Sequence, residues 1–180
     1  VLVGCGLGQS AGTLSVVKAV LENAKCPVVL DADGINALEK HMDVLDARRG
    51  RTTILTPHDG EFVRIGGDFS AGRIEAAKSF AKEHGCILVL KGHRTITATP
   101  EGNVLVNTTG NSGLAKGGSG DVLTGIIASL LAQGATAVQA AALGVWIHGR
   151  AGDLAAQRLT EYAMTPADVV DTLPEVFREL

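Results

Sequence analysis

Aromatic side chains are scarce in this chain of 180 residues: one Trp, one Tyr and four Phe, 3% in all. A core so poor in rings has to be filled by Val, Ile, Leu and Ala, which suits helices packed on a mostly parallel sheet. No basic block occurs and the net charge is −3, so the electrostatic footprint of a nucleic-acid binder is absent. Within these residues there is no signal-peptide pattern and no apolar run of membrane-spanning length, so no membrane partner is expected. The three cysteines, Cys5, Cys26 and Cys86, form no CxxC pair. They read as reduced thiols beside a core, which fits a cytoplasmic setting. No GxxxxGK[ST] run occurs, which excludes a P-loop. There is no initiator Met: Val1 already stands inside a strand-like run, and an N-terminal segment is expected to precede it.

What the sequence does have is glycine, 23 residues of it, and an apolar fraction of 46%. The length suffices for one domain with a real core. Strand-like runs at Val1–Gly4, Pro27–Leu30, Thr52–Leu55 and Cys86–Leu90 alternate with helical periodicity at Ser10–Ala24, Ile35–Ala47 and Ser70–His84. A short helix is expected at Glu61–Ile65, and Ser70 is expected to start the helix that Gly85 stops. Thr95–Thr99 and Asn103–Asn107 predict a hairpin around Pro100–Gly102. Helices follow at Val122–Leu131, at Ala135–Arg158 with a break near Gly149–Gly152, and from Thr165–Pro166, with Thr as cap and Pro at the first helical position. The alternation predicts an α/β three-layer αβα fold with a mostly parallel central sheet and an antiparallel edge hairpin.

The segment from Asn111 to Asp121 carries the strongest chemical signal. Gly117, Gly118, Ser119 and Gly120 are small, so successive backbone N–H groups can converge on one point just before an apolar helix. The helix N-terminus adds partial positive charge. Together they make an anion hole suited to a transferring phosphoryl group. Asp121 stands where a carboxylate could accept the proton of a hydroxyl nucleophile. A plainer alternative makes Asp121 the N-cap of that helix.

Weaker signals cluster after strands. Gly6–Ala11 fits G-x-G-x-x-A, a dinucleotide fingerprint or a bare tight turn. Asp31 and Asp33 could hold a hydrated Mg²⁺ or a sugar hydroxyl, or cap a helix. His58 could bind a ligand carbonyl or phosphate, and Glu61 a metal-bound water. Lys91 and Arg94 could meet nucleotide phosphates or ribose, although a hairpin edge also favours Lys. His148–Asp153 reads as close helix packing. Four of these five follow a strand, where open α/β sheets bind ligands.

Taken in order, GLGQ (Gly6–Gln9), DADGIN (Asp31–Asn36), TPHDGE (Thr56–Glu61), KGHRT (Lys91–Thr95), the block Asn107–Gly134 and HGRAGD (His148–Asp153) resemble the ADP/ATP-dependent (S)-NAD(P)H-hydrate dehydratases. These are carbohydrate-kinase-like members of the ribokinase superfamily. The resemblance covers nearly the whole chain. It implies a ribokinase-like fold and dehydration of the S epimer of NADHX or NADPHX, driven by ADP or ATP with Mg²⁺. It implies further that Asp121 is the base and contacts the hydrate, and that Gly8 and His58 contact NAD(P)HX. Lys91, Gly92, His93, Arg94, Thr95 and Gly120 would bind the adenine nucleotide. A homo-oligomer is expected, as is fusion to or cooperation with an NAD(P)HX epimerase. Cys5, Asp59 and Ser112 stand where the family usually has proline, which bears on local loop shape. Competing readings are a ribokinase-superfamily small-molecule kinase and a non-catalytic nucleotide-binding module.

Overall fold

The computed structural model describes the backbone of residues 1–180 and every side chain except that of Ala11. Six strands form one sheet in sequence order: β1 (Leu2–Val3), β2 (Val28–Leu30), β3 (Thr53–Leu55), β4 (Ile87–Leu90), β5 (Ile96–Ala98) and β6 (Val104–Val106). The first four are parallel and the last two antiparallel. Crossovers of one hand in a sheet that grows in one direction put every connecting helix on the same face. These are α1 (Ala11–Asn23), α2 (Ala32–Asn36), α3 (Met42–Asp46), α4 (Asp59–Arg64) and α5 (Arg73–His84). The three closing helices, α6 (Ser119–Ala132), α7 (Ala137–Ala163) and α8 (Pro166–Phe177), make the opposite layer.

Strand alternation divides the core accordingly. Leu30, Leu55, Leu88 and Leu90 pack with Val17, Leu21, Phe62 and Phe80. Val29, Ile54, Ile87 and Val89 pack instead with Leu123, Ile127, Ala140 and Val145. Both faces of the parallel strands are therefore buried, and their sequences are continuously apolar. At the amino-terminal pole Arg48, only 1% exposed, donates to the carbonyls of Leu21, Ala24, Cys26 and Thr52 and to Thr53 Oγ1. One guanidinium thus ties the end of α1 to the starts of β2 and β3. No helix is long and apolar enough to cross a membrane among the described residues.

Three expected elements differ. The helix expected at Ile35–Ala47 is two short ones, α2 and α3, because Lys40 adopts φ +62° between them. Ser70 does not start α5: its backbone and side chain both donate to Asp68, and Gly72 is the cap. The break expected near Gly149–Gly152 is absent, and α7 runs through it. A Cβ on Gly149 would lie 2.2 Å from Thr109 Oγ1, and one on Gly152 would lie 2.8 Å from Leu114. These glycines are packing contacts; the interruption comes later, at Thr160, with φ +68°.

Candidate active site

Register brings three polar residues side by side at the carboxyl ends of the parallel strands. Leu30 pairs with Leu55, so Asp31 and Thr56, one residue on, are neighbours; Lys91 follows β4 in the same way. Asp31 Oδ1 accepts from Thr56 Oγ1 at 2.8 Å and from Lys91 Nζ at 2.7 Å. Glu61 Oε2 lies 3.8 Å from the same ammonium and also accepts the His58 N–H. Asp31 and Glu61 are nearly fully buried, and Lys91 is the cation within reach of both. The other oxygen of Asp31, Oδ2, has only the Cys5 thiol, at 3.8 Å, for a hydrogen-bond donor among the described residues.

Helix α6 enters this pole from the opposite layer. Its N-cap is Gly118, with φ +92°, a conformation that favours glycine. Asp121 is therefore the third helical residue, not the cap. A Cβ on Gly120 would sit 3.3 Å from Lys91 Nζ and 3.4 Å from Asp31 Oδ2. The first turn of α6 is thus pressed against the Asp31–Lys91 pair. Thr124 donates to the carbonyls of Gly120 and Asp121, each at 3.1 Å, and steadies that turn. His148 is buried beneath it, against the Ser119 backbone. Burial pushes its imidazole pKa down to about 4, with Lys91 adding to the effect, so the ring is neutral at pH 7.

Cys5 lies on the other side of the same centre. Its Sγ is 3.7 Å from Thr124 Oγ1, and burial first, then the carboxylates of Asp121 and Asp31, push the thiol up to about 11. Cys5, Asp31 and Asp121 offer ligand atoms that all lie within 4.8 Å of one another.

The remaining residues singled out from sequence fall around this centre. Gly8 donates its N–H to Asp33 Oδ2 at 2.8 Å, so a carboxylate already occupies the donor that a dinucleotide fingerprint would aim at pyrophosphate. A Cβ on Gly8 would meet nothing within 4 Å, which leaves its backbone open to close approach. Asp31 and Asp33 therefore serve different partners. His58 is the N-cap of α4: its Nδ1 accepts from the Gly60 and Glu61 N–H groups, its Nε2 lies 3.4 Å from Glu61 Oε1, and its side chain is exposed. Gly92, His93 and Arg94 form an exposed turn closed by Thr95, whose hydroxyl bonds both the N–H and the carbonyl of Gly92. Gly117 and Gly118 are exposed and Ser119 is buried.

Sequence reasoning passed over Arg73. It donates to the Lys91 carbonyl at 2.6 Å and pairs with Asp59, so it pins the turn after β4. The three residues that depart from the expected loop motifs each make a specific contact: Cys5 with Asp31, Asp59 with Arg73, Ser112 with Glu161.

A family model described as NAD(P)H-hydrate dehydratase matches residues 1–175. The bifunctional NAD(P)H-hydrate repair enzyme of Moorella thermoacetica is 46% identical over 182 residues, covering 99% of this chain and 34% of that enzyme. The ADP-dependent (S)-NAD(P)H-hydrate dehydratase of Neisseria meningitidis is 43% identical, over 85% of this chain and 54% of that one. The crystal structure of the ADP/ATP-dependent NAD(P)H-hydrate dehydratase of Bacillus subtilis, co-crystallised with ATP and Mg²⁺, superposes with a TM-score of 0.84 at 34% identity, covering 99% of this chain and 63% of that one. The chain thus spans only part of each relative's length.

Proposed function

The chain belongs to the NAD(P)H-hydrate dehydratase family, and from that premise we propose that the full-length protein dehydrates the S epimer of hydrated NAD(P)H at the expense of ADP or ATP. The observation that carries the reading is the meeting of the first turn of α6, which carries Asp121, with Lys91 and Asp31. The N–H groups of Gly118 and Gly120, the helix dipole and an ammonium converge on one small volume, which is what a phosphoryl group in transfer needs, while the Ser119 N–H donates to the Lys116 carbonyl at 3.2 Å.

In this reading Asp121 accepts the proton of the hydroxyl on the nicotinamide ring. That oxygen attacks the terminal phosphorus, and the bond to the nucleotide breaks, giving AMP from ADP or ADP from ATP. The new C–O–phosphate is a far better leaving group than hydroxide. Phosphate departs with the C–O electron pair, and loss of a neighbouring ring proton restores the double bond. Lys91 and the α6 N–H groups hold the phosphoryl oxygens throughout, while Lys91–Thr95 and Gly120 contact the nucleotide. Gly8 and the exposed side chain of His58 contact NAD(P)HX.

The residues present fit a hard divalent cation: Asp31 Oδ2 lacks an N–H or O–H donor, and the Asp121 carboxylate stands beside it. Mg²⁺ bound there would neutralise phosphate charge. The test is conversion of purified NADHX to NADH by the full-length protein, read by absorbance, with ADP and ATP in parallel. Absence of turnover with both nucleotides would sink the proposal, and a stable phosphorylated product without NADH would replace it with a kinase. Asp121→Asn should lose about 10²–10⁴-fold in kcat, the range for a general base, while still binding nucleotide.

A further inference from the structure

Lys116 stands one residue before the glycines of the phosphate turn, where a cation would be expected to meet phosphate. Its side chain goes elsewhere. Nζ donates to the backbone carbonyls of Glu161 at 3.1 Å, Tyr162 at 2.9 Å and Met164. We propose that Lys116 is a positioning residue for phosphoryl transfer: by tying the turn to the end of α7, it fixes where the Gly118 and Gly120 N–H groups point. The tie stands on geometry; its effect on turnover rests on the dehydratase reading.

Three observations carry the proposal. A helix leaves its last carbonyls without an internal partner, and Lys116 takes three of them at once. They converge directly after Thr160, which has φ +68° and ψ 157°. That region is nearly glycine's alone and is costly for a β-branched side chain, so the strain sits where the carbonyls gather. Second, the loop leading to the turn is pressed against the same segment. Ser112 Oγ donates to Glu161 Oε2. A Cβ on Gly113 would lie 2.8 Å from the Glu161 carbonyl oxygen and 2.4 Å from Met164 Sδ, and one on Gly118 would lie 3.3 Å from Pro166. Third, the Lys116 carbonyl accepts the Ser119 N–H at 3.2 Å. One residue thus joins the strained end of α7 to the first residue of α6. Gly117, between the two links, has open space where a Cβ would be, so no side-chain packing of its own holds it.

An ammonium suits this place. It is a compact charge with three donors, and it meets three acceptors. A neutral side chain would leave those carbonyls unpaired and the turn free to rotate. A misplacement of about 1 Å at the phosphoryl position costs about 10²-fold in rate.

The experiment substitutes Lys116 in the full-length protein. Lys116→Met keeps the stem and loses the donors, so kcat should fall about 10²-fold with little change in nucleotide KM, the split expected when only transition-state contacts are lost. Lys116→Arg keeps the charge and answers the question if Lys116→Met does not fold. Its planar fork cannot meet three carbonyls around one point, so kcat should fall again. Lys116→Ala lacks the atoms of propylammonium. That ion should restore part of kcat, whereas tetramethylammonium, with the same charge and no N–H, should not. A plain helix cap would lower stability and leave kcat of the folded fraction at the parent value. Hydrogen exchange gives a readout that needs no turnover: the buried Ser119 amide should lose protection in Lys116→Met while the core amide of Leu88 keeps its own. Parental kcat in Lys116→Met and Lys116→Arg overturns the inference, as does an equal response of Lys116→Ala to the two ions or a Ser119 amide that stays protected. A parent protein that never turns over NADHX counts against the proposed function instead, and the Ser119 exchange then decides the tie.

Discussion

Gly120→Ala separates the stability of α6 from the work of its N-terminus. Gly120 is the second residue of the helix and has ordinary helical backbone, so alanine fits the local conformation. Replacing a helical glycine gains up to about 1 kcal/mol in helix propensity. The new methyl, however, would lie 3.3 Å from Lys91 Nζ and 3.4 Å from Asp31 Oδ2. Optimal contacts between such atoms are about 3.5–4.0 Å, so the ammonium must retreat by a few tenths of an ångström. Lys91 can do this, because the contact is at the far end of a flexible chain. Urea unfolding should therefore show stability unchanged or raised by up to about 1 kcal/mol. Turnover should behave differently, because the methyl stands where phosphoryl oxygens approach Lys91. A displacement approaching 1 Å there costs about 10²-fold, and a loss of that order in kcat/KM is expected with either nucleotide. Gly125→Ala is the control: it lies in the same helix, and its Cβ would meet nothing within 4 Å. It should stabilise similarly and leave turnover alone. Full activity in Gly120→Ala would refute the phosphoryl position; a large loss of stability would refute the packing argument.

Arg48→Met should destabilise by about 3 kcal/mol or more, at about 1–3 kcal/mol for each buried acceptor left unpaired, because it strands the carbonyls of Leu21, Ala24 and Cys26. Nucleotide KM measured on the folded fraction should not move, since Arg48 lies at the opposite pole from the site. His148 gives a pH signature. Its pKa is depressed from 6.5 to about 4, so below 6.5 the unfolded chain takes a proton that the folded one refuses. Stability should fall as pH drops from about 6.5 to about 4, by up to about 3 kcal/mol, and this component should level off below that. The parent-minus-variant difference for His148→Gln isolates it by urea unfolding at each pH; a flat difference across that window would contradict a neutral buried imidazole.

Period and punctuation made much of the fold legible. Continuous apolar runs gave β2, β3 and β4, Gly85 closed α5, and Thr165–Pro166 opened α8. The failures have physical reasons. Lys40 and Thr160 adopt positive φ without the glycine that normally signals it, so neither interruption had a residue type to announce it. Gly149 and Gly152 looked like breaks because their role is to admit Thr109 and Leu114, and close approach is a tertiary fact. At the site, residue types were legible but pairings were not. Asp31 and Lys91 are 60 positions apart and meet only through sheet register. Arg48 carried no motif at all. Cys5 read as a core thiol because its neighbours in sequence are apolar or glycine, whereas its neighbours in space are carboxylates.

The proposed function also accounts for a phosphate centre built from glycine rather than from more lysine. Lys91 already faces two buried carboxylates, Asp31 and Glu61, with Asp121 close by. A second ammonium would pair with this acidic surplus and lock it, leaving neither oxygen for a cation nor base for a proton. In the proposed function the backbone N–H groups of Gly118 and Gly120 attract phosphate without contributing a full charge or a titratable group. They let the centre stay net acidic, which recruits a divalent cation, while still presenting donors to an anion.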